Sequence, residues 1–328
     1  MEKKRRLFFF SLLGLALVGL GLLLGTLWKS PERETLQPLR QSATQLKFVE
    51  PLLAVGNFEL LRDFGSLQYR IERMVTQFKA EKSAKRVSVY FRDLASGRWM
   101  GTGENEKYAP ASMYKVALLL TILKAAESDP SLLFHLLTFQ NGMTPPSERE
   151  PAPRLIVGQS YSITKLLQYL IVNSDNDAKN LLQSFISPES RREVFTDLGL
   201  TPPDLNDTGD SLSAKDYSIF FRVLFNGTYL SPASSESALE LLSRPEFTEG
   251  LVAGIPKETS VAHKFGRRIF NEVNAPAREE LHDCGNVYLA NHPYFLCVMT
   301  EGWSDETLSG IISQISQTVY NYTLKEYQ

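Results

Sequence analysis

Ala111-Ser112-Met113-Tyr114-Lys115 opens a dense apolar run that continues through Val116-Ala117-Leu118-Leu119-Leu120. That density predicts a helix over Ser112 to Glu127. A serine and a lysine three residues apart on a helix lie on one face. Ser112 falls at the helix start, where backbone N–H groups and the helix dipole favour developing negative charge. A serine hydroxyl becomes a nucleophile only when a base takes its proton. A lysine one turn on does this if burial or a nearby cation lowers its pKa. Taken alone, an N-cap serine with a solvent-facing lysine is the commoner explanation of the pattern. The surrounding chain has to decide between the two.

Upstream, Leu67, Tyr69, Ile71, Met74, Val75 and Phe78 recur at helical spacing. Arg86 to Leu94 alternates, with Val87, Val89 and Phe91 on one face. Ala95-Ser96-Gly97 is a turn, and Arg98 to Gly101 returns as a second strand. Downstream come helical segments at Ser162–Val172, Ala178–Phe185, Pro188–Leu198, Ser213–Phe225 and Ser234–Leu242, with Ser162 as a candidate N-cap. Strand character returns at Thr259–Gly266, Leu281–Leu289 and Tyr294–Thr300, with Ala290–Pro293 as a hairpin turn. Asp305 to Leu324 closes the chain as an amphipathic helix. The predicted fold class is therefore α/β (α+β). One antiparallel sheet of about five strands is built from both chain ends and flanked by terminal helices, with an all-helical subdomain over about 128–245. A cleft is expected where the helical block meets the sheet.

Two further clusters carry chemistry. Ser174-Asp175-Asn176 follows the helix that ends near Val172, so it falls in a loop. A loop serine can relay a proton, and an asparagine amide can bind a substrate carbonyl. The same three residues also suit a helix N-cap. His263-Lys264-Phe265-Gly266 lies on a predicted strand. A strand lysine can hold a carboxylate or polarise the loop serine, and a glycine beside it permits close backbone approach.

In this order, on helix, loop and strand, the three clusters resemble the S-x-x-K, S-D-N and K-T-G set of class A β-lactamases and penicillin-binding proteins. Val87 to Leu94 before its Ser-Gly turn is similar to that family's first hairpin. Tyr108-Ala109-Pro110-Ala111 leads into the serine as it does there, and His282 to Tyr288 resembles the strand after the lysine strand. The resemblance spans Leu67 to Tyr322. It implies a β-lactamase/transpeptidase-like fold and a serine hydrolase with Ser112, Lys115, Ser174 and Lys264 as catalytic residues. Asn176, Gly266 and Arg267 would bind substrate, and the backbone N–H groups of Ser112 and Arg267 would form the oxyanion hole. It implies β-lactam or D-Ala-D-Ala-like peptide substrates, with no cofactor and no metal.

Two departures change the expectation. K-T-G is here Lys264-Phe265-Gly266, so the hydroxyl that meets a substrate carboxylate is missing, and Arg267 or Arg268 is the candidate replacement. The resemblance also calls for a loop glutamate that activates the deacylating water. Leu198 to Ser213 holds Asp204, Leu205, Asn206, Asp207 and Asp210 but no glutamate, and the matching place, four residues before Asn206, falls on Pro202. Asp204 and Asp207 are the candidate deacylation bases, and release of an acyl group is expected to be slow. Three functions follow: an acyl-serine hydrolase, a penicillin-recognising protein that hardly turns over, and a catalytically silent envelope binding module. Retention of Ser112, Lys115, Ser174, Asn176 and Lys264 together speaks against the third.

Composition narrows the field further. The chain has 328 residues, 43% hydrophobic and 22% charged, with a formal net charge of −2, so no basic footprint points to nucleic acid. The histidines are scattered and no HExxH pair occurs, which excludes the common zinc arrangements. Asp207-Thr208-Gly209 has no second copy of its kind and reads as a turn rather than half of an aspartic-protease pair. No G-x-S-x-G elbow occurs. His282-Asp283 could suggest a triad with Ser112, although a buried structural histidine is the commoner outcome. Cys284 and Cys297 fall on neighbouring strands, where side-by-side bridging is awkward, and free buried thiols are expected.

The N-terminus divides into a basic cytoplasmic tail (1–6), an apolar segment (7–28) of about bilayer length and a Pro-punctuated tether (29–66). The catalytic domain follows (67–328). Phe48-Val49-Glu50-Pro51-Leu52-Leu53 within the tether is apolar enough to pack as a short edge segment. The basic flank predicts a single-pass membrane protein with an extracytoplasmic catalytic domain. Secretion after signal cleavage is the alternative. The catalytic domain is expected to be monomeric.

Overall fold

The computed structural model describes residues 39–40, 46–54, 64–144, 155–203, 211–270 and 277–326. The apolar segment 7–28 lies outside these residues, as do Asp204 and Asp207. Among the described residues no helix is long and apolar enough to cross a membrane.

Leu67, Ile71, Val75 and Phe78 form a continuous stripe, and helix α1 (Gly65–Ala80) buries it. Tyr69, expected on that face, is 62% exposed. An offset of two residues from Leu67 turns a side chain through about 200°. The alternating segment forms β1 (Arg86–Asp93) and pairs with β2 (Trp99–Thr102). Asp93 Oδ1 accepts the Ser96 N–H at the turn, and Gly97 takes a left-handed φ of 76°.

The helical block contains α2 (Lys115–Ser128), α3 (Ile163–Val172), α4 (Asn176–Phe185), α5 (Pro188–Asp197), α6 (Ala214–Asn226) and α7 (Pro232–Leu242). Side-chain caps fix most of their starts. Ser162, Asp175, Ser187, Ser213 and Ser231 each accept a backbone N–H from the first turn, and Ser213 with Asp216 completes a capping box. Three more strands follow: β3 (Val261–Phe270), β4 (Arg278–Val287) and β5 (Tyr294–Gly302), then helix α8 (Asp305–Glu326).

The sheet order is β2-β1-β5-β4-β3, antiparallel throughout. Strand β5 is central and every residue of it is buried, so it lacks polar alternation. One face packs Val87, Val89, Phe91, Leu281, Leu296 and Val298 against α1 and α8. The other packs Tyr90, Phe295 and Met299 against Met113, Phe221 and the helical block.

Three sequence expectations need correction. The β3–β4 hairpin is longer than the apolar pattern suggested, because it continues through charged pairs such as Arg268 opposite Glu280. Cys284 and Cys297 are not free thiols but a disulfide. They sit opposite each other in the β4–β5 register with Cα atoms 4.0 Å apart. Spacing along the chain could not reveal that register. Finally, part of the tether belongs to the body. Phe48 and Val49 are each 3% exposed. The Glu236 carboxylate on α7 accepts the N–H groups of Lys47, Phe48 and Val49 at 2.7–3.1 Å. Leu52–Ala54 does pair as a strand, but with Leu39–Arg40 rather than with the main sheet.

Glu301, buried at the end of β5, gathers Lys85, Arg86 and Arg278. Burial alone would raise its pKa, but hydrogen bonds from these three cations outweigh it and hold the carboxyl down to about 2. Its folded pKa lies below its unfolded value. The stabilisation is therefore complete above about pH 4.5 and disappears as pH falls toward 2. Glu301→Gln is expected to cost about 1–3 kcal/mol at neutral pH, discounted because Lys85 is half in solvent. Urea unfolding at pH 7 and pH 3 checks this. A variant as stable as wild type at pH 7 would show that the cluster contributes nothing.

Candidate active site

The serine turn is tighter than its sequence suggested. Ala111–Tyr114 forms a 3₁₀ turn, and the α-helix starts only at Lys115. Ala111 holds a left-handed φ of 46°, an unfavourable state for a residue with a Cβ. The Met113 N–H donates to Pro110 O at 2.9 Å, and the Tyr217 hydroxyl donates to Met113 O at 3.1 Å. Ser112 is half-buried at the crest of this turn.

Lys115 is 1% exposed, not solvent-facing, and Lys264 is fully buried. Their amino groups converge on one residue. Lys115 Nζ stands 3.1 Å from Ser174 Oγ and also bonds the Ser174 carbonyl. Lys264 Nζ stands 2.9 Å from the same Oγ. Ser174 itself sits at a left-handed φ of 53°, which turns its carbonyl and hydroxyl toward the lysines. Burial lowers the Lys264 pKa to about 7, and the nearby Asp283 charge only partly opposes this. The hydroxyl can accept from two amino groups and still donate its own proton. The cap reading of the Ser174 cluster holds for Asp175, which starts α4 by accepting the Ala178 N–H at 2.7 Å. Burial raises the Asp175 pKa. Asn176 is the first residue of α4.

The space beside Gly266 is used by the protein itself. A Cβ there would stand 2.7 Å from Pro110 O and 2.9 Å from Met113 Cγ. The glycine admits the serine turn against β3, a tighter constraint than the substrate approach expected of it. The Arg267 guanidinium pairs with Asp305 at 2.6 Å. Phe265 stacks on Phe247 with ring centroids 4.2 Å apart, and Lys264 Nζ lies 4.1 Å from the Phe265 ring centre. Arg268 lies over the Phe270 ring. Asp204 and Asp207 fall outside the described residues, whereas Pro202 lies within them. Among the described residues no group of His, Cys, Asp or Glu is arranged to hold a metal ion.

His282 and Asp283 do not form a dyad. Asp283 bonds His263 Nδ1 at 2.8 Å and takes the Leu251 N–H. His282 points to the other face of the sheet, with Nε2 3.2 Å from Ala109 O. Tyr217 and His282 thus each face a backbone carbonyl beside Ser112; His282 is the buried structural histidine that its strand suggested, whereas Tyr217 lies in no motif. For Tyr217, only its placement on an apolar helix hinted that its hydroxyl needed a partner.

The model of a beta-lactamase enzyme family matches residues 66–323. Beta-lactamase L2 of Stenotrophomonas maltophilia is 29% identical over 143 residues, 43% of this chain and 44% of that protein, so the chain spans less than half of this relative. Extended-spectrum beta-lactamase PER-1 of Pseudomonas aeruginosa is 23% identical over 243 residues, 67% of this chain and 77% of the relative. Among solved structures, a mutant of PBP-A in an acyl-enzyme complex with penicillin G superposes with a TM-score of 0.69. It is 24% identical and the match covers 80% of this chain and 98% of that one, a likeness of fold.

Proposed function

Because the chain belongs to the beta-lactamase enzyme family and is a serine hydrolase, we propose that it is acylated on Ser112 by β-lactams or D-Ala-D-Ala-like peptides and releases β-lactam adducts slowly. The observation that carries this is the Ser174 hydroxyl, within 3.1 Å of Lys115 and 2.9 Å of Lys264, in a protein whose serine turn packs on the same strand as Lys264. Lys115 takes the Ser112 proton as Oγ bonds to the substrate carbonyl carbon. The N–H groups of Ser112 and Arg267 receive the oxyanion. Strand β3 is an edge strand, so its outer N–H groups are not consumed by the sheet. The Ser174 hydroxyl gives its proton to the leaving nitrogen as the acyl C–N bond breaks, and the lysine pair replaces that proton. The Asn176 amide orients the substrate amide, and Gly266 keeps the turn against the strand.

Deacylation needs a base beside a water. Pro202 stands where the family resemblance puts a glutamate, and proline offers no carboxylate. Asp204 and Asp207 are one methylene shorter than glutamate. Misplacing a catalytic group by about 1 Å can cost roughly a hundredfold. The same departure favours a second reading, that of a penicillin-binding, peptidase-like protein whose natural acyl donor is a peptide.

Placement outside the cytoplasm on an anchor over residues 7–28 is supported by Lys3, Lys4, Arg5 and Arg6 before the apolar segment. The Cys284–Cys297 disulfide supports it too, since such bonds persist in oxidising compartments. The test is to incubate the full-length protein in detergent with a fluorescent penicillin and follow the adduct by intact mass. A single adduct that decays slowly is expected. Rapid multiple turnover, abolished by Asp204→Asn or Asp207→Asn, would identify a working β-lactamase with an aspartate base. No adduct at all would reject acylation by penicillins.

A further inference from the structure

His282 is fully buried on β4, opposite Gly266 on one side and Met299 on the other. Its ring has two polar atoms: Nδ1 faces one backbone amide, and Nε2 faces the Ala109 carbonyl, with the buried Glu280 Oε2 the next acceptor at 3.7 Å. The Thr300 N–H approaches Nδ1 at 3.2 Å, and Nε2 stands 3.2 Å from Ala109 O. A backbone amide can only donate and a carbonyl can only accept. Nδ1 is therefore the acceptor, and Nε2 carries the proton and gives it to Ala109. The tautomer is set by the backbone of β5. Tyr108 packs edge-on against the ring, with centroids 5.1 Å apart, and prevents it from turning.

Ala109 lies three residues before Ser112. Between them the chain has little freedom. Pro110 O fills the space beside Gly266, and Ala111 is held left-handed. Beyond Ser112, the Tyr217 hydroxyl fixes Met113 O. The serine thus sits between two carbonyls that are each tied by a buried side chain. Neither side chain touches the lysine–serine cluster.

We propose that His282 is a positioning residue for the serine turn, acting through its Nε2–H on Ala109 O. This rests on the reading of Ser112 as the acylated residue. The bond holds the entry to the turn so that the left-handed state at Ala111, which is unfavourable locally, persists and aims Ser112 Oγ.

Two substitutions separate this from simple core packing. His282→Gln keeps a donor at about the reach of Nε2. His282→Asn keeps an acceptor near Thr300 but leaves Ala109 O without a donor. In the full-length protein, acylation at saturating fluorescent penicillin is expected to slow about 10- to 100-fold in His282→Asn. The concentration giving half-maximal rate should stay near that of wild type, and His282→Gln should recover most of the rate. Exchange of the Met113 amide, which closes the turn onto Pro110 O, should accelerate in His282→Asn and not in His282→Gln. Equal rate loss in the two variants, tracking their thermal midpoints, would overturn the proposal, as would unimpaired acylation in His282→Asn. If wild type forms no penicillin adduct, the reading of Ser112 fails on its own. The Met113 exchange rates then still decide whether His282 holds the turn.

Discussion

Penicillin labelling is expected to vanish in Ser112→Ala, with no adduct in the intact mass and a loss of about 10⁶ in turnover of any hydrolysed reporter. Losses of that size arise when a nucleophile is removed from a unit that works only as a whole. Here that unit would comprise Ser112, Lys115 one turn on, and the Ser174 hydroxyl between the two lysines. The substitution deletes one oxygen from a half-buried side chain, so the variant should melt close to wild type. A persistent adduct in Ser112→Ala, or one mapped to Ser174, would reassign the nucleophile.

Lys264→Met is expected to move activity and stability in opposite directions. The variant loses the amino group that meets Ser174 Oγ at 2.9 Å, and acylation should fall by about 10²–10⁴. Yet Lys264 is fully buried, and burial moves its pKa from 10.5 to about 7. Between those values the unfolded chain holds a proton that the folded protein has released, so wild-type stability rises with pH across this window. The cost is complete below about pH 7 and corresponds to at most about 5 kcal/mol. A methionine of similar length carries no such cost, but Ser174 Oγ and the Phe265 carbonyl each lose a hydrogen bond. A net gain of about 2–3 kcal/mol is expected near pH 6, shrinking toward pH 10. Urea unfolding of both proteins at pH 6, 8 and 10 tests this. A variant less stable than wild type at pH 6 would show that the buried amine is well compensated.

Much of this was legible in the chain. Five strands and the helices between them follow from periodicity, and the caps at Ser162 and Asp175 follow from residue type. The grouping of Lys115, Ser174 and Lys264 was legible only as a resemblance of motifs. No local rule brings residues so far apart in sequence to one hydroxyl. What stayed hidden depended on register or on tertiary contact. Cys284 meets Cys297 because of how β4 lies on β5. Gly266 is a glycine because the serine turn presses on it. The left-handed states at Ala111 and Ser174 run against the preference of both residues. They are imposed by surroundings that a short window of sequence does not contain. The charged half of the β3–β4 hairpin was missed because exposed strands there lack apolar alternation.

The docked stretch around Phe48 bears on where the catalytic body can be cut. The part of the chain similar to the family starts at residue 66, and a recombinant fragment trimmed to that point would discard Phe48 and Val49. Each of these contributes roughly 1.5–3 kcal/mol by burial. Trimming there would uncover the Tyr288 ring, just past β4, that Phe48 meets edge-on, and it would leave the Glu236 carboxylate on α7 without the three amides it gathers. A fragment that starts ahead of Leu39 retains this clamp, including the Arg40 side chain that ties Leu94 O to Asn226.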